Sequence, residues 1–185
     1  MRITDNRYAT EMTKFNLAIR MIGHEARTGT IRGCTGFSED RIRKIYGTYF
    51  KNEAGNTVRR RRGKTPTQIA AFVTSSSSQS EATLLACLFL NCRLANISRD
   101  KGLAVALKLD GVTRGERLCD AYEAYRLLQP RSEICFERSW SLYKALVIDQ
   151  ELYFAECQHC QSVYVQDRFA LDYNSCPFCE LKTVG

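Results

Sequence analysis

TIRGCTGFSEDRIRKIY, at residues 30–46, has the pattern of two short helices joined by a tight turn. Ile31 supplies an apolar anchor in the first helix. Gly36 follows where the turn requires the positive φ that glycine adopts most easily. Ser38 is a good N-cap for the second helix, because its hydroxyl can accept a free backbone N–H. The spacing predicts a helix-turn-helix over about residues 27–50.

The second predicted helix divides into an inner and an outer face. Ile42 and Ile45 would point inward, with Phe37 filling the space beneath the turn. The polar residues around them would face outward, where Arg can pair with guanine edges and Arg or Lys can hold phosphates. Acidic residues in the first turn suit the positive end of the helix dipole. The predicted DNA-contacting residues are Ser38, Glu39, Asp40, Arg41, Arg43 and Lys44.

One residue departs from the usual helix-turn-helix pattern. A small side chain is common directly after the first anchor, and this chain has Arg32 there. An ordinary helical hairpin with a basic surface is therefore the alternative. The charge distribution favours DNA binding: residues 1–64 hold 15 Lys/Arg and 6 Asp/Glu, a net charge of +9, whereas residues 65–185 have a net charge of −2. A basic excess confined to one third of the chain predicts a polyanionic partner.

A basic loop follows the predicted helix-turn-helix. The segment EAGNTVRRRRGKTP, at residues 53–66, contains four successive arginines. Phosphate contacts from such residues supply much of the affinity of DNA-binding proteins, either along the backbone or in a minor groove. The residues predicted to make these contacts are Arg59, Arg60, Arg61, Arg62 and Lys64.

Apolar side chains at helical spacing predict that most of the remaining chain is helical. Aromatic stripes at this spacing usually lie in a core, and the alternative is a partner-binding surface on the helices at 118–147. Ser78 and Glu81 fit a capping box that begins a buried helix in residues 75–95. We predict one helical DNA-binding and oligomerisation domain at residues 1–150. The stripes are Met12, Phe15, Ile19 and Ile22; Leu118, Ala121, Tyr122, Tyr125 and Leu128; and Phe136, Trp140, Tyr143 and Val147.

The C-terminal end contains two cysteine pairs, ECQHC at residues 156–160 and SCPFC at residues 175–179. The spacing C-x2-C-x15-C-x2-C lies in the range of four-thiolate zinc sites. The insert between the pairs includes the alternating SVYVQD at 162–167 and is long enough for a short hairpin that returns to the metal. Residues 151–185 are therefore predicted to form a zinc-ribbon-like module. Its ligands would be Cys157, Cys160, Cys176 and Cys179.

The predicted metal site is structural. Four thiolates complete a tetrahedron around one Zn²⁺ per chain and leave no open position for a catalytic water. An iron–sulfur cluster uses the same ligands and is the alternative, while His159 could replace one cysteine. Disulfides and a thioredoxin-like redox pair are disfavoured, because MRITDNRY is no export signal and no βαβ unit is visible.

No apolar run approaches the roughly 20 residues that a membrane-spanning helix needs. We therefore expect a cytoplasmic protein without a membrane partner. We do not expect an enzyme, since no catalytic carboxylate pair or Ser–His–Asp order stands out. The GKT at residues 63–65 lacks the preceding apolar strand of a phosphate-binding loop.

Several of these stretches together resemble a known family, the C subunit of the flagellar master transcriptional activator (FlhC), with its SetC- and AcaC-type relatives on conjugative elements. The likeness lies in residues 26–46, in DAYEAYRLL at 120–128, in RSWSLYKAL at 138–146 and in the cysteine pattern at 157–179. It implies a hetero-oligomer with a smaller D-type, FlhD-like subunit that binds double-stranded promoter DNA and recruits RNA polymerase. It also implies a structural zinc at the four cysteines, and DNA contacts from the unit around 38–44 and the basic loop.

The chain also departs from the flagellar members of this family. Residues 55–75 contain RRRRGKTP where an aromatic, proline-containing stretch is expected. We therefore expect promoters of conjugative-transfer genes, and promoters of flagellar genes are the alternative. An RNA-binding zinc-ribbon protein without promoter specificity is the alternative function.

Overall fold

The computed structural model describes residues 3–51, 58–61, 63, 68–98, 103–170 and 176–183. These residues form a mainly helical fold with two antiparallel two-stranded sheets, which confirms the predicted helical class. The helices are α1 Ile3–Gly23, α2 Thr28–Thr35, α3 Glu39–Tyr49, α4 Ala70–Val73, α5 Ser76–Asn91, α6 Gly111–Leu128, α7 Phe136–Val147 and α8 Pro177–Thr183. The strands are β1 Ala95–Ile97, β2 Ala104–Ala106, β3 Leu152–Glu156 and β4 Val163–Asp167. Among the described residues, no helix is long and apolar enough to cross a bilayer.

Helix α5 is the centre of the fold. It packs against α4, α6, α7, α8 and β4, and its apolar residues are buried on several sides. Leu85 and Ala86 are inaccessible to solvent, and Phe89 meets Tyr143 of α7 edge-on with 5.9 Å between ring centroids. Fully burying a side chain such as Leu85 contributes about 1.5–3 kcal/mol. The helix predicted at 75–95 is thus confirmed as a core helix.

The aromatic stripes of α6 and α7 lie in the chain's own core. Two positions differ from the prediction: Leu128, at the last residue of α6, is 58% exposed, and Trp140 is only half-buried. The side chains on these helices that are buried as predicted are Leu118, Ala121, Tyr122, Tyr125, Phe136, Tyr143 and Val147. Because these rings already pack inside the chain, they do not form the partner-binding surface considered for residues 118–147.

Helix α1 buries a different face from the predicted stripe. Its fully buried residues begin at Leu17 and include Ala18 and Met21, whereas Met12 is 44% exposed. Of the predicted stripe, only Ile22 is buried. Helices α2, α3 and α6 contact α1, so the covered surface is wider than one stripe. Among the α1 residues whose burial the structure describes, 7–23, the fully buried ones lie in the C-terminal half.

The capping box predicted at the start of α5 is wrong. Ser75 is the N-cap, and its hydroxyl accepts the backbone N–H of Ser78 at 3.1 Å. The helix therefore begins early enough to place Glu81 in its second turn, beyond reach of the cap. The Glu81 carboxylate instead accepts the hydroxyls of Tyr125 at 2.7 Å and Ser132 at 2.5 Å, which ties α5 to α6 and the following loop.

Candidate functional sites

The turn between α2 and α3 has the local chemistry that the sequence predicts. Gly36 has φ 72°, and its N–H donates to the carbonyl of Arg32 at 2.9 Å. Phe37 is buried beneath the turn. Ser38 begins α3 as its N-cap and accepts the N–H of Arg41 at 3.3 Å. The positive φ, the buried aromatic ring and the serine cap are confirmed.

Helix α3 has a buried and an exposed face. Ile42 and Ile45 are buried, as is Ile31 on α2. All six residues predicted to contact DNA in this unit are exposed: Ser38, Glu39, Asp40, Arg41, Arg43 and Lys44. The division into two faces is confirmed, and the contact of these residues with DNA stays a prediction.

Carboxylates beside the arginines of α3 partly neutralise them. Arg43 pairs with Asp40 at 2.9 Å and with Glu39 at 3.7 Å. Arg41 pairs with Glu11 at 2.8 Å and lies 3.8 Å from the ring centroid of Phe37. Exposed ion pairs contribute little stability, so these arginines can exchange a carboxylate for another anion at small cost. Lys44 makes no ion pair within the described part of the chain.

The start of the basic loop lies against the body beside α2. Glu25 accepts the backbone N–H of Arg59 at 3.2 Å and the Nε of Arg61 at 2.9 Å. Tyr46 of α3 donates its hydroxyl to the carbonyl of Val58 at 3.1 Å. Of the loop residues predicted to contact phosphates, Arg59, Arg60 and Arg61 are therefore placed near α2 and α3. Arg62 and Lys64 lie outside the described residues.

The four cysteines of the two C-terminal pairs come together. Their sulfurs all lie within 4.8 Å of one another, with 4.0 Å between Cys157 and Cys179 and 3.4 Å between Cys160 and Cys176. A tetrahedral Zn²⁺ with Zn–S bonds of about 2.3 Å separates its sulfurs by roughly 3.8 Å. The cluster can therefore hold a metal ion without large rearrangement. His159 is exposed and is not part of the cluster.

The shifted pKa values of the clustered cysteines also fit a cation site. Hydrogen bonds from Ser162 lower the pKa of Cys160 to about 6, which favours the thiolate that binds metals. Hydrogen bonding to the Cys160 sulfur raises the pKa of Cys179 to about 12. Sulfurs this close cannot all ionise unless a cation neutralises them.

The β-hairpin of this module differs from the prediction. Strand β4 lies in the insert as expected, but it pairs with β3, which precedes Cys157. The hairpin loop is the first C-x-x-C itself, closed by a hydrogen bond from the Cys157 N–H to the Ser162 carbonyl at 3.0 Å. The second pair lies at the start of α8, not on a second hairpin. A C-x-x-C turn has the right length for a hairpin loop, so no hairpin within the insert is needed.

The cysteine module packs directly on α5. Gln79 donates to the carbonyl of Val165 and to the side-chain oxygen of Gln166, both at 2.8 Å. Thr83 accepts the N–H of Val165 at 3.0 Å. These polar groups are buried, where a lost hydrogen bond is expensive. The sequence carries no pattern that would have identified Gln79 and Thr83 as partners of β4.

A buried carboxylate caps α2, and sequence reasoning missed it. Glu137 on α7 is 1% exposed and accepts the N–H of Arg27 at 2.7 Å and the hydroxyl of Thr30 at 3.1 Å. Arg27 is the N-cap of α2 and supplies no side-chain cap of its own. No helical spacing in the sequence identifies Glu137 as buried, because Ser141 and Lys144 are its neighbours at i+4 and i+7.

No family model and no curated protein matches the chain. Its function is therefore inferred from these two sites, the α2–α3 unit with the adjacent basic segment and the four-cysteine cluster.

Proposed function

We propose that this protein is a sequence-specific DNA-binding transcriptional activator. The observation that carries the proposal is the exposed polar face of α3. Gly36 and Ser38 fix the start of this helix, while Ile42 and Ile45 hold its other face against the body. A helix with one free polar face matches the width of the major groove of B-DNA.

In this proposal α2 and α3 form a helix-turn-helix and α3 is the recognition helix. The N-terminal residues of such a helix contact base edges, and Arg43 and Lys44 are the cations on this face best suited to guanine or phosphate. The bulky Arg32 does not conflict with this assignment, because its side chain is 64% exposed and lies on the surface, 3.7 Å from the Glu39 carboxylate at the start of α3.

We assign the four-cysteine cluster to one structural Zn²⁺. An all-thiolate, four-ligand set suits zinc and leaves no open position for catalysis, so the proposal includes no enzymatic step. Metal analysis of the purified chain tests this assignment. About one zinc per chain without visible absorbance supports it, whereas iron with a charge-transfer band would assign an iron–sulfur cluster instead.

The biological setting of the proposal rests on the resemblance to the FlhC family. It places the chain in a hetero-oligomer with a D-type subunit that recruits RNA polymerase, at promoters of conjugative-transfer genes. Co-expression with the product of a neighbouring gene tests the partner, and the mass of the purified complex gives the stoichiometry. A monomer that binds its promoter tightly alone would contradict the hetero-oligomer.

Selection from a random pool of DNA duplexes tests the function itself. We expect enrichment of one motif, and about tenfold or greater loss of affinity for it in Arg43→Ala, since a good base contact contributes about 1–3 kcal/mol. Arg131→Ala is a matched control, because Arg131 is exposed beyond the end of α6 and lies outside the α2–α3 unit. No enrichment, or preferential binding of structured RNA, would contradict promoter recognition and favour the RNA-binding alternative.

A further inference from the structure

Four arginines line one cleft between α2, α3 and the segment around residue 60. Arg43 lies on the second helix of the predicted helix-turn-helix, and Arg60 and Arg61 lie in the basic loop at residues 53–66. The fourth, Arg27, is not among the residues that the sequence predicts to contact DNA. The cleft is lined by Arg27, Thr28, Gly29, Glu39, Arg43, Arg60, Arg61 and Gly63.

Two of the arginines are held by carboxylates outside the cleft lining, and a third has room because of a glycine. Arg61 donates to Glu25, which itself adopts the left-handed conformation with φ 59°. Arg43 is paired with Asp40. Gly63 has φ 92°, and a Cβ at this position would lie 3.2 Å from Nη1 of Arg27. Glycine at 63 therefore leaves room for the guanidinium of Arg27 at the cleft.

The charges in the cleft favour an anion. Four arginines and a single acidic residue, Glu39, line the cleft. Converging like charges raise the energy of the protein unless an anion neutralises them, and guanidinium matches the tetrahedral oxygens of phosphate by paired hydrogen bonds. The pairs of Arg43 and Arg61 with carboxylates are exposed and weak, so phosphate oxygens can replace them.

The lining between the arginines is suited to close approach. Thr28 and Gly29 form the first turn of α2, at the positive end of its dipole. Nothing lies within 4 Å of the position that a Cβ of Gly29 would occupy. An anion held by the arginines therefore has room beside Gly29.

We propose that this cleft binds one phosphate group, and that on duplex DNA this group is a backbone phosphodiester beside the groove that α3 enters. The second half of the inference rests on the proposed function. A phosphate held between Arg27 on α2 and Arg43 on α3 fixes the position of α3 along the DNA. A small phosphate compound has the same chemistry and is distinguished by experiment.

The first experiment uses inorganic phosphate and the metal-loaded full chain. NMR titration is expected to shift the amides of Thr28 and Gly29 saturably, while chloride at equal ionic strength does not. Arg60→Gln and Arg27→Gln are expected to weaken the response at least fivefold. Arg131→Gln is the matched control, because Arg131 is exposed, does not line the cleft and lies outside both basic regions. Absence of saturation, or an equal loss in the control, overturns the phosphate site.

The second experiment measures duplex DNA binding over a salt series. Loss of one phosphate contact in Arg60→Gln is expected to reduce the slope of log affinity against log salt by about one. If the wild type binds DNA and Arg60→Gln has the same slope as the wild type, the inference is overturned and the proposed function still stands. Saturable binding of inorganic phosphate without any DNA binding overturns the DNA function and assigns the cleft to a small phosphate compound.

Discussion

The four-cysteine module and the α2–α3 unit are held by different kinds of interaction. The module is closed within one short stretch, because two C-x-x-C turns bring their sulfurs to one point. The α2–α3 unit depends on α6 and α7, which begin 62 and 87 residues after α3 ends. Glu137 caps α2 from α7, and Gly111 of α6 contacts its last turn. The four-cysteine cluster is thus formed by residues close together in the chain, although β4 also packs on α5, whereas the presentation of α3 depends on the whole body.

Two glycines of α6 show that the position of α2 depends on close packing against α6. A Cβ at Gly111 would lie 2.6 Å from the carbonyl oxygen of Cys34. A Cβ at Gly115 would lie 2.8 Å from Cδ2 of Leu17 and 3.0 Å from Cβ of Cys34. The pair allows α6 to approach both α1 and α2, so small residues on α6 determine where the unit sits.

The largest effect is expected from removing one of the four proposed zinc ligands. Cys176→Ser should abolish stoichiometric zinc and unfold the β3–β4 hairpin, since structural zinc contributes an apparent binding free energy of about 10–16 kcal/mol in small modules. Hydrogen exchange should show lost protection in β3 and β4 and retained protection in α2 and α3. Cys87→Ser, at an exposed position of α5 outside the cluster, is the control. Simultaneous loss of protection in α3 would contradict the prediction that the cysteine module can unfold without the α2–α3 unit.

The next effect concerns the close approach of α6 to α2. Gly111→Ala places a methyl group against a backbone carbonyl that cannot move aside alone, and overpacking of this kind costs about 1–3 kcal/mol. Gly33→Ala is the control, because nothing lies within 4 Å of its Cβ position and alanine favours the helix. Urea unfolding of both variants measures the difference. Equal stability of the two would show that α2 can shift freely on α6.

A smaller effect is expected from the carboxylate that caps α2. Glu137→Ala removes acceptors from the Arg27 N–H and the Thr30 hydroxyl, and loss of a helix cap costs about 0.5–2 kcal/mol. Glu133→Ala, an exposed residue just before α7, should be neutral. Amide exchange should be faster in α2 but unchanged in β3 and β4. Exchange that accelerates equally in the cysteine module would mean that α7 supports both sites alike.

The smallest effect is a pH dependence between α1 and α6. Hydrogen bonding from Arg20, and then from His24, lowers the pKa of Glu123 to about 2 from its ordinary value of 4.5. A carboxylate with a lowered folded pKa stabilises the fold above the unfolded pKa, and this contribution is lost as pH falls from about 4.5 to about 2. The side chain is partly exposed, so solvent screening keeps the contribution small.

Thermal melting between pH 2 and pH 7 measures this contribution. Glu123→Gln should be less stable than the wild type at neutral pH and should lose the difference in acid. Glu116→Gln on the same helix is the control, since Glu116 makes no ion pair within the described residues. Loss of metal in acid affects all variants alike and cancels in the comparison. A constant difference between Glu123→Gln and the wild type across this range would contradict the prediction.

Short-range patterns were predictable, and long-range choices were not. The turn at Gly36, the cap at Ser38 and the buried pair Ile42 and Ile45 lie within ten residues of one another, so their spacing alone predicts their geometry. The α5 cap was misplaced by three residues, because several serines compete there and only packing decides which one begins the helix. The hairpin of the cysteine module was misplaced because the strand that pairs with β4 precedes the first cysteine.

The sequence by itself determined the helical class, the α2–α3 turn and the four cysteines that can bind a metal. Each depends on backbone preference or on the spacing of residues that lie close together in the chain. Only the tertiary structure decided which face of α1 is buried, that Glu137 caps α2, and that Arg27 shares a cleft with Arg60. These pairings join residues far apart in the chain, and packing of α6 and α7 selects them because burial and hydrogen bonding must be satisfied together.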